Sequence, residues 1–402
     1  MPTIKLYDND PYETSFIAKV VSCKATGDGK AELVLDRTLF FPEEGGQTPD
    51  RGTIVPEADE GISFDVVDVQ IRDDVITHTI VPTRSRGVTD IPAHFSKGSG
   101  ASGQIDFFRR FSNMQNHTGE HIFSGLVHSR FGYDNVGFHL SDETVSMDYS
   151  GKLTDDDIAS VELAANRAIF EAHPVFCRYP SKSELSHMEY RSKKEIDGDV
   201  RIVTIEGIDD CACCAPHVRN TSEIGLLKVV GRENYKGGTR LFILCCMRAL
   251  LDYSQKHDVI SQLSDITSSP AQDIAKSVSV LIEERDSLRQ ELFHIKMDRV
   301  VSLAEEAARD GERFLFIEET NDNIVRTGVN TLTASFDSGV SGIFFGNDTD
   351  GYRFIIGSSG DTDARETAKL LKEKLDARGG GKSEMVQGSV TASKDIILKT
   401  LS

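Results

Sequence analysis

Two short clusters, His117-Thr-Gly-Glu-His121 and Cys213-Cys-Ala-Pro-His217, lie far apart in the chain yet have matching spacing. Each sets two good metal ligands four positions apart. On an α-helix, residues i and i+4 stand one above the other on the same face, so His117 and His121 can grip one ion together. Three nitrogens and one thiolate would complete the tetrahedral, N/S-rich shell that Zn²⁺ favours. A fold that uses both pairs must bring two distant segments to one point. The first pair is not the metalloprotease motif, because Glu120 directly precedes the second histidine instead of following the first.

Around this constraint the chain must build more than one core. Its 402 residues suggest about two to four domains. An apolar content of 39% and a charged content of 27% fit a soluble globular protein. The absence of an eighteen-residue apolar run speaks against a membrane span. The first ten residues lack the apolar core of a secretory signal. Seven cysteines, an odd number with five in two tight groups, do not read as a disulfide framework, so a reducing, cytoplasmic setting is expected. A net charge of −19 argues against coating nucleic acid through bulk electrostatics, but not against a local basic patch.

The patterning predicts an α+β, multidomain chain. Residues 1–92 read as a small β-barrel, with short strand-like runs at 15–23, 31–35, 64–72 and 75–81 between Gly, Asp and Pro turns. Within it, Gly45-Gly46 permits backbone conformations and close approaches that side chains forbid, or simply makes a turn. Residues 93–252 read as an α+β zinc-binding domain, with helices over 109–131 and 155–172 and strands flanking the cysteine-rich turn. Residues 253–310 form a helical linker. From 271 to 308 its apolar positions Ile274, Val278, Leu281, Leu288, Leu292 and Ile295 follow steps of four and three, with Arg285 interrupting the seam. This seam suits a dimer-forming or spacer helix, the alternative being an amphipathic helix packed on its own domain. Residues 311–402 alternate strand and helix as a C-terminal α/β domain. Its Arg378-Gly-Gly-Gly-Lys382 run is not a P-loop, and reads either as a turn that enters a helix and could accept a phosphate or as a tight structural turn.

Taken in order, Thr38…Phe40-Phe41-Pro-Glu-Glu-Gly-Gly-Gln47…Asp50-Arg-Gly52, His117-x-x-x-His121, Cys213-x-x-x-His217-Val…Thr221…Glu223-Ile-Gly225 and Gly379-Gly-Gly-Lys…Met385-Val-Gln-Gly388 resemble the editing region and C-terminal domain of alanyl-tRNA synthetase and its free-standing relatives, the AlaX proteins. With the β domain at the first residue, the arrangement is similar to that of a long AlaX protein. The resemblance implies a trans-editing hydrolase that deacylates tRNA(Ala) mischarged with serine, or sometimes glycine. It implies one Zn²⁺ per chain on His117, His121, Cys213 and His217.

Within that reading, Thr38 is the candidate for sensing the serine hydroxyl, or else a strand threonine with its hydroxyl satisfied. The backbone at Gly45, Gly46 and Gln47 would position the ester carbonyl. Gln115 could orient a water, as could Glu120, for which surface solvation is the expected role. Asp210 would accept a hydrogen bond from a ligand histidine. In one departure, the family's Gly-Gly-Thr between the cysteine and histidine is here Cys214-Ala-Pro216, so Cys211 or Cys214 could compete with Cys213. Packing is the expected role of Cys245 and Cys246. A homodimer through residues 271–308 and the C-terminal domain is a further expectation. The alternatives are threonyl-type editing of Ser-tRNA(Thr) and a zinc-stabilised tRNA-binding module without activity.

Overall fold

A computed structural model describes residues 1–83, 88–192 and 198–402. The chain has a mixed α/β, multidomain architecture with two compact units, Met1–Val259 and Ile260–Ser402.

The first unit opens with a closed six-stranded barrel: β1 (Ser15–Gly27), β2 (Lys30–Leu35), β3 (Gly52–Pro56), β4 (Phe64–Arg72), β5 (Val75–Pro82) and β6 (Gly100–Ile105). They close in the order β1-β2-β5-β4-β3-β6. The alternation of β1 and β2 turns Phe16, Ala18, Val20, Ala31, Leu33 and Leu35 inward. The closing strand β6 lies beyond residue 92, where the sequence patterning ended the barrel. That strand reads Gly-Ala-Ser-Gly-Gln-Ile, too small and polar to announce itself.

Helix α1 (Phe107–Phe131) follows almost at once, capped by Asp106, whose side chain accepts from the Arg109 N–H, and ended by Gly132 at φ 66°. Its middle is buried over Asn113–Gly125. On one side stands the antiparallel sheet of β7 (Asn135–Leu140), β8 (Val145–Tyr149), β12 (Leu227–Tyr235) and β13 (Gly238–Cys245), in the order β12-β13-β8-β7. Cys245 sits against Gly119, where a β-carbon would approach its sulfur to 2.6 Å, so packing is its role. Helix α2 (Asp155–Phe170) begins in a capping box made by Thr154 and Asp157 and buries Ile158, Val161, Ala165 and Ile169. A three-stranded sheet of β9 (Val175–Arg178), β10 (Ile202–Ile205) and β11 (Asp209–Ala212) carries the chain into the cysteine-rich turn.

Helix α3 (Cys246–Thr267) starts in the first unit. The second unit contains α4 (Ile274–Arg309), β14 (Phe314–Ile317), α5 (Asp322–Ala334), β15 (Gly339–Asn347), β16 (Gly351–Ser359), α6 (Ala364–Leu375), β17 (Arg378–Gly381), β18 (Met385–Val390) and α7 (Lys394–Leu401). Its sheet runs β14-β15-β16-β18-β17. Val300, Ala304 and Ala307 of α4 pack into the cores formed with Val325, Val329 and Leu332 of α5. The glycine-rich run is the edge strand β17, paired antiparallel with β18, and not a turn entering a helix. The bare Gly379 and Gly381 let the β18 backbone lie where side chains would stand, 2.3 Å from the β-carbon position of each. No helix among the described residues is long and apolar enough to cross a membrane.

Candidate metal centre

His117 and His121, one turn apart on α1, meet Cys213 and His217 from the turn after β11. All four offer a ligand atom within 4.8 Å of one another. The Cys213 sulfur lies 3.6 Å from Nε2 of His117 and 3.4 Å from Nε2 of His217. A tetrahedral zinc with Zn–N near 2.0–2.1 Å and Zn–S near 2.3 Å sets sulfur and nitrogen roughly 3.5 Å apart, so the donor set fits that ion.

Each histidine is also held from behind. His117 Nδ1 is 2.8 Å from Oε1 of Gln47, His217 Nδ1 is 3.0 Å from the Thr118 hydroxyl, and His121 Nδ1 is 3.2 Å from Oδ2 of Asp209. Such partners fix ring orientation and tautomer, leaving Nε2 to face the common centre. Burial lowers the His217 pKa to about 3, favouring the neutral imidazole that binds metal. Burial also disfavours the charged form of His121, but the neighbouring Asp209 outweighs it and raises its pKa to about 9. Burial alone would push the Cys213 thiol up, yet the imidazoles of His117 and His217 bring it well below the usual thiol range. The other two cysteines behave oppositely. Burial raises Cys211 and Cys214. Cys214 lies instead beside Gly45, whose β-carbon position is 3.4 Å from its sulfur.

The barrel reaches this centre through its 39–50 loop. Arg110, fully buried on α1, directs its Nε at Asp50 (3.0 Å) and bonds the Leu39 carbonyl, while Asp50 also accepts from the Phe41 N–H at 2.7 Å. Gly46 offers its carbonyl to the Leu140 N–H at 2.7 Å, and a β-carbon on it would meet the Phe138 carbonyl oxygen at 2.4 Å. Gly45 and Gly46 have φ of 63° and 84°, a region open to glycine at little cost. The Gln47 N–H donates to Glu44. The N–H groups of Gly45 and Gly46 lie on an exposed stretch.

Three expected site residues lie differently from the sequence expectation, while Thr38 is a strand threonine with its hydroxyl satisfied, one of the two readings given for it. The Thr38 hydroxyl is buried in the barrel, 2.9 Å from His78 Nε2 and accepting from the Phe40 N–H. His78 Nδ1 faces the Leu33 carbonyl at 3.0 Å, an acceptor only, so Nδ1 carries the proton and Thr38 donates to Nε2. Gln115 points away from the histidines and donates to the Glu223 carbonyl at 2.7 Å, because residues two apart on a helix face opposite ways. Asp210 takes the Thr204 hydroxyl, while its neighbour Asp209 holds His121. Glu120 is not on the surface. It is fully buried, its Oε1 accepts from Ser124 (2.6 Å) and Asn135 (2.5 Å), and its Oε2 lies 3.8 Å from His121 Nε2.

Sequence reasoning missed Asp209, Thr118, Arg110 and His78. For Asp209 the signal was present. Side chains alternate along a strand, so positions 209, 211 and 213 share a face that 210 does not.

Comparison with known proteins agrees with this geometry. Residues 200–242 match the family described as the threonyl and alanyl tRNA synthetase second additional domain, and residues 9–91 match the class II (A) tRNA synthetases. The alanyl-tRNA editing protein AlaX-L of Pyrococcus horikoshii is 26% identical over 98% of this chain and 96% of its own length. The alanyl-tRNA editing protein Aarsd1 of Rattus norvegicus is 27% identical over 96% of this chain and 94% of its own. An alanine–tRNA ligase of Ignicoccus hospitalis is 26% identical over the whole chain, which spans only 42% of that protein. The chain is thus similar, along nearly the full length of both partners, to free-standing proteins named alanyl-tRNA editing proteins.

Proposed function

We propose that the protein hydrolyses the ester of tRNA(Ala) mischarged with serine, with glycine as a second substrate, releasing the amino acid and free tRNA. The observation that carries this reading is the imidazole–thiolate cluster set against the Gly45-Gly46-Gln47 loop. It is supported by relatives of matching length that are named alanyl-tRNA editing proteins. The need for such chemistry is physical. An alanine pocket rejects one added hydroxyl weakly and cannot exclude glycine by size, so a second site must remove the errors.

In this reading one zinc ion is held by His117, His121, Cys213 and His217. Bound there, it supplies positive charge that can hold the substrate amine or polarise the ester. Gln47, Thr118 and Asp209 keep the three imidazoles in orientation. The N–H groups of Gly45 and Gly46 point the way for the ester carbonyl and stabilise charge on its oxygen as water adds. The Thr38 hydroxyl spends its hydrogen on the bond to His78, so toward a serine hydroxyl it is an acceptor only. Gln115 and Asp210 are given structural roles, bracing Glu223 and Thr204. The seven free thiols suit a reducing cytoplasm.

Deacylation of Ser-tRNA(Ala) and Ser-tRNA(Thr), beside elemental analysis and a His117→Ala control, tests the proposal. Preferential hydrolysis of Ser-tRNA(Ala), one zinc per chain and loss of both in the variant are expected. Preference for Ser-tRNA(Thr) would move the protein to threonyl-type editing. Binding of tRNA with no hydrolysis of either would leave a non-catalytic module.

A further inference from the structure

Tyr179 directly follows the edge strand β9 and is 52% exposed, although its hydroxyl is engaged. That hydroxyl donates to Oδ2 of Asp8 at 3.0 Å, and Oδ1 of Asp8 lies 3.5 Å from Nε of Arg201. The buried Arg201 in turn donates to the carbonyls of Cys213 (2.9 Å) and Ala215 (2.8 Å), in the turn that carries Cys213 and His217. Three contacts therefore link the ring to the backbone of a candidate metal ligand.

Asp8 is itself held in place. It ends the short 3-10 turn Leu6–Asp8, whose buried Tyr7 packs edge-on against Phe41 with ring centroids 5.4 Å apart. Phe41 belongs to the barrel loop that presents Gly45, Gly46 and Gln47. Burial first, and the Asp8 carboxylate next, push the Tyr179 pKa up to about 12, so the phenol stays a neutral donor. Cys214 is near enough to act on the same phenol, and its sulfur stands 3.4 Å from the β-carbon position of Gly45. The ring thus lies on the rim where the exposed Gly45-Gly46 stretch meets the cysteine-rich turn.

With its hydroxyl tied down, Tyr179 presents ring surface to solvent. Tyr12 and Tyr235 each carry an arginine over the ring, whereas among the described residues none stands over Tyr179. A fixed, uncovered aromatic face loses little entropy on binding and suits a flat partner. The substrate chemistry supplies one. The ester joins the amino acid to a ribose hydroxyl of the last nucleotide, so the terminal adenine lies one sugar ring from the reacting carbon. Stacking needs no positive charge, which fits a chain of net charge −19.

We infer that Tyr179 is the stacking platform for the terminal adenine of the tRNA 3′ end. The inference rests on the aminoacyl-tRNA reading above and adds where the last nucleotide sits.

Equilibrium binding of uncharged tRNA(Ala) to the full chain, with and without its terminal adenosine, tests it. Wild type should bind the complete tRNA about 5- to 100-fold more tightly than the trimmed one. Tyr179→Ala should erase that preference by weakening binding of the complete tRNA alone. Tyr179→Phe keeps the ring and should keep most of the preference. On Ser-tRNA(Ala), Tyr179→Ala should raise KM by a similar factor. Equal binding of the two tRNAs by wild type overturns the proposal, as does a preference that survives Tyr179→Ala. Equal losses for both tRNAs in Tyr179→Ala also overturn it, since the ring would then only brace Asp8 and Arg201. A wild type that shows the Tyr179-dependent preference yet leaves Ser-tRNA(Ala) intact would end the editing reading and uphold the platform.

Discussion

The Gln47 side chain places its Oε1 2.8 Å from Nδ1 of His117, which ties a barrel loop to an imidazole on α1. This bond crosses from one structural layer to another, and it decides which ring nitrogen of His117 carries the proton. Gln47→Ala should therefore lower metal retention and deacylation together, each by about 10- to 100-fold, as is usual when a partner behind a ligand histidine is lost. Chelator competition followed by kcat/KM on seryl-tRNA measures both. A variant that keeps wild-type metal affinity would show that the amide does not orient the ring.

Asp209 and Asp210 are neighbours with different duties. Asp209 is buried, takes both Nε (2.6 Å) and an amino group (2.8 Å) of Arg191, and holds His121. Asp209→Ala should cost on the order of 3–5 kcal/mol, because it leaves the largely buried Arg191 uncompensated. Asp209→Asn keeps the shape and should show a smaller loss of stability with a clear loss of metal. Asp210→Asn should change metal content little. Thermal melts and elemental analysis of the three variants read out the difference, and equal losses at 209 and 210 would contradict this assignment.

That contrast shows how much of the site was legible in the sequence. Helical spacing placed His117 with His121, and the matching Cys213/His217 spacing supplied a partner pair, because both rules act over a single turn. Strand alternation, applied with the same rigour, points to Asp209 and not Asp210. Glu120 was misread because charge was taken as a sign of exposure; Ser124, four residues on along α1, and Asn135 satisfy it in the interior. The pairs Arg110–Asp50 and His78–Thr38 join residues 60 and 40 positions apart, and no local pattern announces them. The barrel, the mixed domain and the long helix were visible as periodicities. The strand formed by Arg378–Gly381 was not, since glycine pairing at a sheet edge carries no β-propensity signal.

His78 gives a pH dependence with a defined sign. Burial drives its pKa down to about 4, whereas the unfolded chain titrates near 6.5. Between these values the unfolded state binds more protons, so stability falls as pH drops from about 6.5 toward 4. By pH 5 the loss from this one group is about 2 kcal/mol. Denaturant titrations at pH 7 and pH 5 on the wild type and His78→Gln isolate it, since the variant lacks the titrating ring. The difference between the two pH values should be smaller in the variant by that amount. Identical differences would mean that the ring is not held neutral by the barrel.

Gly46 and Gly380 make a matched pair for testing the loop. Gly46 combines a φ of 84° with a carbonyl oxygen 2.4 Å from its β-carbon position, so alanine there is both strained and obstructed. Gly380 meets nothing within 4 Å on its exposed edge strand. Gly46→Ala should cost about 1–3 kcal/mol and move the loop that carries Gln47, reducing kcat/KM beyond any loss of folded protein. Gly380→Ala should fall within about 0.5 kcal/mol of wild type. Both numbers come from chemical denaturation, with activity normalised to the folded fraction. If Gly46→Ala retained full deacylation, the close approach of this backbone to Phe138 would be incidental to the chemistry, and the ester carbonyl would have to be positioned by other donors.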